Sequence, residues 1–170
     1  ELGAISEGTT NIREGVADAD FVLVATRVSV IGNQLEEIDT CVRPGTPITD
    51  AGSTKQSIVD RWEQSRSSRK GRFVGSHPLA GSHKRGPQAA DPALFEDKLT
   101  VLTPVESTPQ SDTQSISAFW QLIGAQVCHL SPSEHDRLLA SASHAPHIVA
   151  AALAAATPRE AHRFTAGGWR

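Results

Sequence analysis

The segment Gly75-Ser76-His77-Pro78-Leu79-Ala80-Gly81-Ser82-His83 is the densest polar cluster in the chain. An imidazole takes up or holds a proton near neutrality, so a histidine fixed at a strand end suits acid–base work. Pro78 biases the residue before it away from α backbone angles and keeps His77 extended. A lone histidine in a loop is more often structural or solvent-facing; the Gly-rich turn at the end of an apolar run sets His77 above the other histidines. The second candidate is Asp50-Ala51-Gly52-Ser53-Thr54-Lys55. Glycine lets a flat ligand approach closely, and Ser53 and Thr54 offer hydroxyls and N–H groups at a helix start, where anions are favoured. Lys55 either pairs with a carboxylate or faces water, and a capped helix with an ordinary lysine is the plainer reading. The spacing is not that of a Walker phosphate loop.

The third candidate is His135-Asp136 with Ser143-His144-Ala145-Pro146-His147 after it. His144 and His147 are three apart and share a helix face unless Pro146 loosens it. On a regular helix His135 and His144 face opposite sides and need not act together. Zinc would need further ligands, so no metal is expected. The two histidines are either exposed on a helix or part of a polar face lining a cleft.

The elements that hold these residues alternate. Residues 21–25 form a compact apolar run suited to a strand buried on both faces. Residues 30–38 suit a helix, 47–50 a strand, 56–64 a helix, and 72–75 begin a third strand. This strand–helix repeat builds a parallel sheet, whose ligands bind at the carboxyl ends of the strands. Those ends fall at Ala25-Thr26, at residues 50–53 and at residues 75–77, so all three face one crevice. Residues 78–95 are irregular, 99–102 give a fourth strand, 112–123 a helix and 127–130 a short extended piece. Ser131-Pro132 with Glu134 is a helix start with a capping box, and the helix extends to about residue 156 with Pro146 as a kink.

Composition narrows the class. The 170 residues carry 16 Lys and Arg against 19 Asp and Glu, a net charge of −3 that gives no encouragement to nucleic-acid or membrane binding. No uninterrupted apolar run approaches a membrane span and no signal peptide is visible, so the cytoplasm is the default location. Cys41 and Cys128 read as free thiols. The chain has no Met, so Glu1 is expected to be a processing or truncation point. A G-x-G-x-x-G fingerprint is missing, and the first half of a nucleotide domain is expected to lie upstream.

The segments ADFVLVAT (19–26), TDAGSTK (49–55), GSHPLAGS (75–82), EHDRLLASASHAPHIVAAAL (134–153) and AGGWR (166–170) together resemble the prephenate dehydrogenase family, which includes arogenate and cyclohexadienyl dehydrogenases. The resemblance implies part of a Rossmann-like α/β nucleotide-binding domain over residues 1–130 and the start of an all-helical dimerisation and substrate domain over 131–170. It implies oxidative decarboxylation of prephenate to 4-hydroxyphenylpyruvate, in tyrosine biosynthesis, with NAD or NADP, by a homodimer. His77 and Ser53 are then catalytic, His77 drawing the proton from the ring hydroxyl as hydride leaves. Ser82, His83, His144 and His147 lie on the substrate side, and Thr26, Ser53 and Pro78 on the cofactor side. Two departures stand out: Arg27 where proline is usual and His83 where an acid is common. The family's substrate-carboxylate arginine and its phosphate loop are expected outside these residues. Arogenate as substrate, another hydroxy-acid dehydrogenase, and a ligand-binding relative without turnover remain the alternatives.

Overall fold

The computed structural model describes residues 5–64, 69–81 and 86–164, with the side chains of Pro87 and His162 left aside. Its elements are α1 (Ile12–Val16), β1 (Val22–Val24), α2 (Val28–Cys41), β2 (Pro47–Asp50), α3 (Gln56–Gln64), β3 (Arg72–Pro78), β4 (Leu99–Thr103), α4 (Gln110–Leu122), β5 (Gln126–His129), α5 (Pro132–Leu139) and α6 (Ala145–Ala156). They fall into two compact units, residues 1–135 and 136–170.

The first unit is a five-stranded sheet in the order β1-β2-β3-β4-β5. β1, β2 and β3 run parallel, with Val24 opposite Asp50 and Thr49 opposite Val74. Alternation along the strands divides two cores. Ile48 and Phe73 join Ile31, Leu35, Ile58 and Trp62 of α2 and α3 in one cluster. Val74 and Leu102 join Ile116 and Trp120 of α4 in the other. Helices thus cover both faces, as a parallel sheet requires.

One strand departs from the expected parallel set: β4 runs antiparallel to β3, with His77 opposite Val101 and Pro78 opposite Thr100, and β5 then runs parallel to β4. A parallel pair needs a crossover, usually a helix. Among its described residues the segment between β3 and β4 has one 3-10 turn, Pro87–Ala89, whereas α4 provides the crossover between β4 and β5. β3 is also longer than expected. His77 and Pro78 belong to the strand rather than to a turn after it. Proline is tolerated there because β2 pairs only as far as Val74. The N–H that Pro78 lacks would point beyond the end of β2, where no ladder bond is lost.

The exits of β2 and β3 are tied by a buried polar knot. Asp50 and Lys55 are both wholly buried and paired. The Asp50 carboxylate also accepts the N–H of Gly52 at 2.9 Å and of Ser76 at 3.0 Å. Ser76 Oγ donates to the Asp50 carbonyl and accepts from Trp120 Nε1 at 3.0 Å. A Cβ on Gly52 would sit 2.8 Å from Asp50 Oδ2 and 2.8 Å from Ile31 Cδ1, so a side chain there would displace the Asp50 carboxylate or the Ile31 tip. Burial pushes the Asp50 carboxyl above its ordinary range, against the opposing pull of Lys55 and the two amides.

In the second unit, helix α5 does not run smoothly into α6. A π turn at Ala140–His144 intervenes, and Pro146 sits in the first turn of α6. Proline cannot donate to the carbonyl four residues back. The widened turn absorbs that lost bond, so the expected kink takes the form of a π bulge. The helical stretch Pro132–Ala156 is long and apolar enough by composition to cross a bilayer, with a mean hydropathy of 1.4 in its most apolar window. This differs from the sequence expectation, because alanine interspersed with Ser and His reaches the threshold without a continuous run of large apolar side chains.

Removing one member of a buried pair strands the other's charge, which costs about 3–5 kcal/mol. Lys55→Met is therefore expected to lower unfolding free energy by about that amount. Chemical denaturation of Lys55→Met, Asp50→Asn and the double variant checks this. The double variant should lose less than the sum of the singles; strict additivity would show that the two groups do not depend on each other.

Candidate active site

The parallel strands carry three of the sequence-predicted site residues to one end of the sheet. Thr26 lies two residues beyond β1, Ser53 three beyond β2, and His77 is the second-to-last residue of β3. Thr26 is exposed and its Oγ1 donates to Gln34 Oε1 on α2. Ser53 is exposed. Its neighbours Gly52 and Lys55 are locked inside, so the knot around Asp50 fixes the turn from below while leaving the Ser53 side chain outward. Ala25, Ala51 and Gly52 add little side-chain bulk, which leaves the strand ends open to a flat group. Pro78 is buried beside His77.

His77 is half-buried and its imidazole meets a partner that sequence spacing did not reveal. Nδ1 of His77 lies 2.9 Å from Nε2 of His135, 58 residues away in the chain. The rings meet edge-on, with centroids 5.1 Å apart and planes at 68°. His135 is fully buried in the first unit, at the foot of α5. Its placement comes from the N-terminal cap: Ser131 Oγ accepts the Glu134 N–H at 3.2 Å, and the His135 N–H donates to the Ser131 carbonyl at 2.9 Å. Of two neutral imidazoles at this distance, one must donate and the other accept. If His77 donates from Nδ1, its Nε2 carries the lone pair and can act as a base. His135 then holds its own proton on Nδ1.

His135-Asp136 stands out in the sequence, but nothing local links either residue to His77. Contacts across 58 residues leave no periodic trace, and the capping box was the one local clue to where His135 would sit. Ser82 and His83 lie outside the described residues. His144 and His147 belong to the second unit. His144 is half-buried in the π turn, whereas His147 is exposed with Nδ1 3.2 Å from the Ser143 carbonyl oxygen. Among the described residues no group of three His, Cys, Asp or Glu is placed to hold a metal ion. Cys41 and Cys128 are free thiols, and burial pushes the Cys128 thiol up.

Comparison with known proteins agrees with this architecture. Residues 1–129 match the family profile described as prephenate dehydrogenase, nucleotide-binding domain, and residues 131–170 match prephenate dehydrogenase, dimerization domain. Prephenate dehydrogenase from Bacillus subtilis is 38% identical over 177 aligned residues, covering 100% of this chain and 47% of that protein. Cyclohexadienyl dehydrogenase from Zymomonas mobilis is 33% identical over 84% of this chain and 48% of its own length. The chain spans about half the length of the curated relatives it matches. Among solved structures, prephenate dehydrogenase from Aquifex aeolicus in complex with hydroxyphenyl propionate and NAD+ superposes with a TM-score of 0.85 at 32% identity, covering 99% of this chain and 60% of that one. Arogenate dehydrogenase from Synechocystis gives a TM-score of 0.78 at 27% identity, over 95% and 59% of the two chains. Family profiles over both units, together with a strand-end histidine on a doubly covered sheet, establish that this chain belongs to the prephenate dehydrogenase family.

Proposed function

We propose that the protein takes part in the NAD- or NADP-dependent oxidative decarboxylation of prephenate to 4-hydroxyphenylpyruvate, with arogenate as the alternative substrate. The observation that carries this reading is the His77–His135 contact at the carboxyl end of a parallel strand. The Aquifex aeolicus relative bound to NAD+ and a hydroxyphenyl ligand supports a dinucleotide and a six-membered ring as the occupants. The small residues Ala25, Ala51 and Gly52 with the Ser53 hydroxyl fit a flat ring at the strand ends. A bound nicotinamide supplies the hydride acceptor.

His77 accepts the proton of the ring hydroxyl at Nε2 while hydride leaves the carbon that bears it. Its Nδ1–H stays on His135, which fixes the tautomer and shares the charge. Loss of the ring carboxylate as carbon dioxide then makes the ring aromatic, and His77 returns its proton to the phenolate oxygen. The chain's net contribution is one proton taken and returned, so the reaction balances as substrate and oxidised cofactor to product, carbon dioxide and reduced cofactor. Ser53 hydrogen-bonds the same hydroxyl and holds it in line. Thr26 and Pro78 border the cofactor side. Ser82, His83, His144 and His147 are assigned to the substrate side by the family resemblance alone. Simple hydroxy-acid oxidation would lack the aromatic gain and is separated by substrate comparison.

In the second unit, α6 leaves Ile148, Val149 and Leu153 largely exposed. With the match to a dimerization-domain profile, we read this apolar face as meeting a second copy rather than lipid. A helix this rich in alanine packs closely against another helix.

Turnover of His77→Asn with prephenate is expected to fall by about 100-fold or more, with NAD+ affinity little changed. His135→Phe should lower turnover by a smaller factor, through the lost contact to Nδ1 of His77. Near-normal turnover in His77→Asn, or in His135→Phe, would remove the assigned roles. Leu153→Glu is expected to move the protein toward monomer in light scattering; an unchanged mass would place the interface elsewhere.

A further inference from the structure

The pairing of β3 with β2 stops short of His77. Their register ends with Thr49 opposite Val74, three residues before the imidazole. On the other side, β4 stays paired with β3 past His77 to Pro78. Among the described residues, the ladder therefore supports this strand end from one neighbour only. On the β2 side the fastening passes through Ser76. Its N–H donates to Asp50 Oδ1 at 3.0 Å, and its hydroxyl donates to the Asp50 carbonyl. Two bonds to one residue take over where the ladder stops.

Ser76 is wholly buried, and its hydroxyl oxygen is a meeting point. A serine hydroxyl has one hydrogen and two lone pairs. The hydrogen goes to Asp50. Trp120 Nε1 donates to the oxygen from 3.0 Å, and Thr49 Oγ1 lies 2.7 Å from it. The indole is itself held in place. Trp120 is fully buried on α4, with the rings of Phe95 and Phe119 edge-on to it at centroid distances of 5.4 and 5.2 Å. An indole N–H can only donate. Turning the Ser76 hydroxyl away would strand that donor in the core, a costly state.

Successive side chains point to opposite faces of a strand. Val74 and Ser76 face α4, where both meet Trp120 or its cluster. Phe73 faces α2 and α3. By the same alternation His77 shares the side of Phe73, and there it meets His135. Pinning Ser76 to one face thus aims the next side chain at the other. A backbone rotation at Ser76 would swing the imidazole off His135. A misplacement on the order of 1 Å in a reacting group costs up to about 100-fold in rate.

We propose that Ser76, held by Trp120, is the positioning residue for His77: it aims the imidazole at His135 and the strand-end crevice without itself touching substrate or cofactor. This rests on the proposed role of His77. The test is steady-state turnover of prephenate with NAD+ by the full-length protein, for Ser76→Ala and Trp120→Phe, each alone and each combined with His77→Asn. Ser76→Ala should lower kcat by on the order of tenfold or more, with KM for NAD+ little changed. Trp120→Phe keeps most of the packing and removes the indole donor. It should lower kcat by a smaller factor, and it decides the matter if Ser76→Ala folds poorly. In the His77→Asn background neither change should cost anything further, because a side chain that acts through His77 has nothing left to aim. A merely structural role gives the same loss in both backgrounds. Unchanged kcat in the variants, or an equal loss with and without His77, would overturn the proposal. Normal turnover in His77→Asn alone removes the role of His77 first and this proposal with it.

Discussion

The candidate site depends on one buried carboxylate. Asp50 has no contact with water, yet it reaches Lys55, the Gly52 amide and the Ser76 amide at once. An ionised group in that position is tolerated only when every lone pair finds a donor. Satisfying it forces the chain to turn back at Gly52, to begin α3 with Lys55 folded inward, and to bring β3 alongside beyond the point where β2 stops. Those are the conditions that put Ser53 and His77 at the ends of neighbouring strands. The same knot reaches the opposite face of the sheet through Ser76, whose hydroxyl accepts from Trp120 of α4. Both hydrophobic cores are thus linked to the geometry of the site by a polar connection a few residues long.

The imidazole pair extends the principle from position to protonation state. A histidine at a strand end has two nitrogens and no built-in preference between them for base chemistry. The contact with His135 couples the two rings, because one of the facing nitrogens must donate and the other accept. His135 in turn is held by backbone bonds at the start of α5 rather than by a flexible loop.

Much of this was legible in the sequence where local rules apply. The compact run before Thr26, the Pro47–Asp50 strand and the Gln56–Gln64 helix follow from apolar length and turn residues, and these elements fix the parallel trio. His77 and Ser53 stood out because glycine and small polar residues cluster where strands end. What escaped was set by tertiary context. The direction of β4 depends on the route of an irregular connection that has no period to read. Lys55 was left open between water and a carboxylate, since only the fold brings Asp50's side chain inward to meet it. The pairing of His77 with His135 spans two separate elements. The π turn before Pro146 lies between these cases: the proline announces a disturbance, but not the form it takes.

The most direct test of the central claim is the tautomer of His77, read by long-range proton–nitrogen NMR of histidine-labelled protein at a pH where the ring is neutral. The account predicts that the proton resides on Nδ1, with a shift that changes when His135 is replaced, leaving Nε2 as the unprotonated nitrogen. A neutral His77 carrying its proton on Nε2, unaffected by replacement of His135, would contradict it.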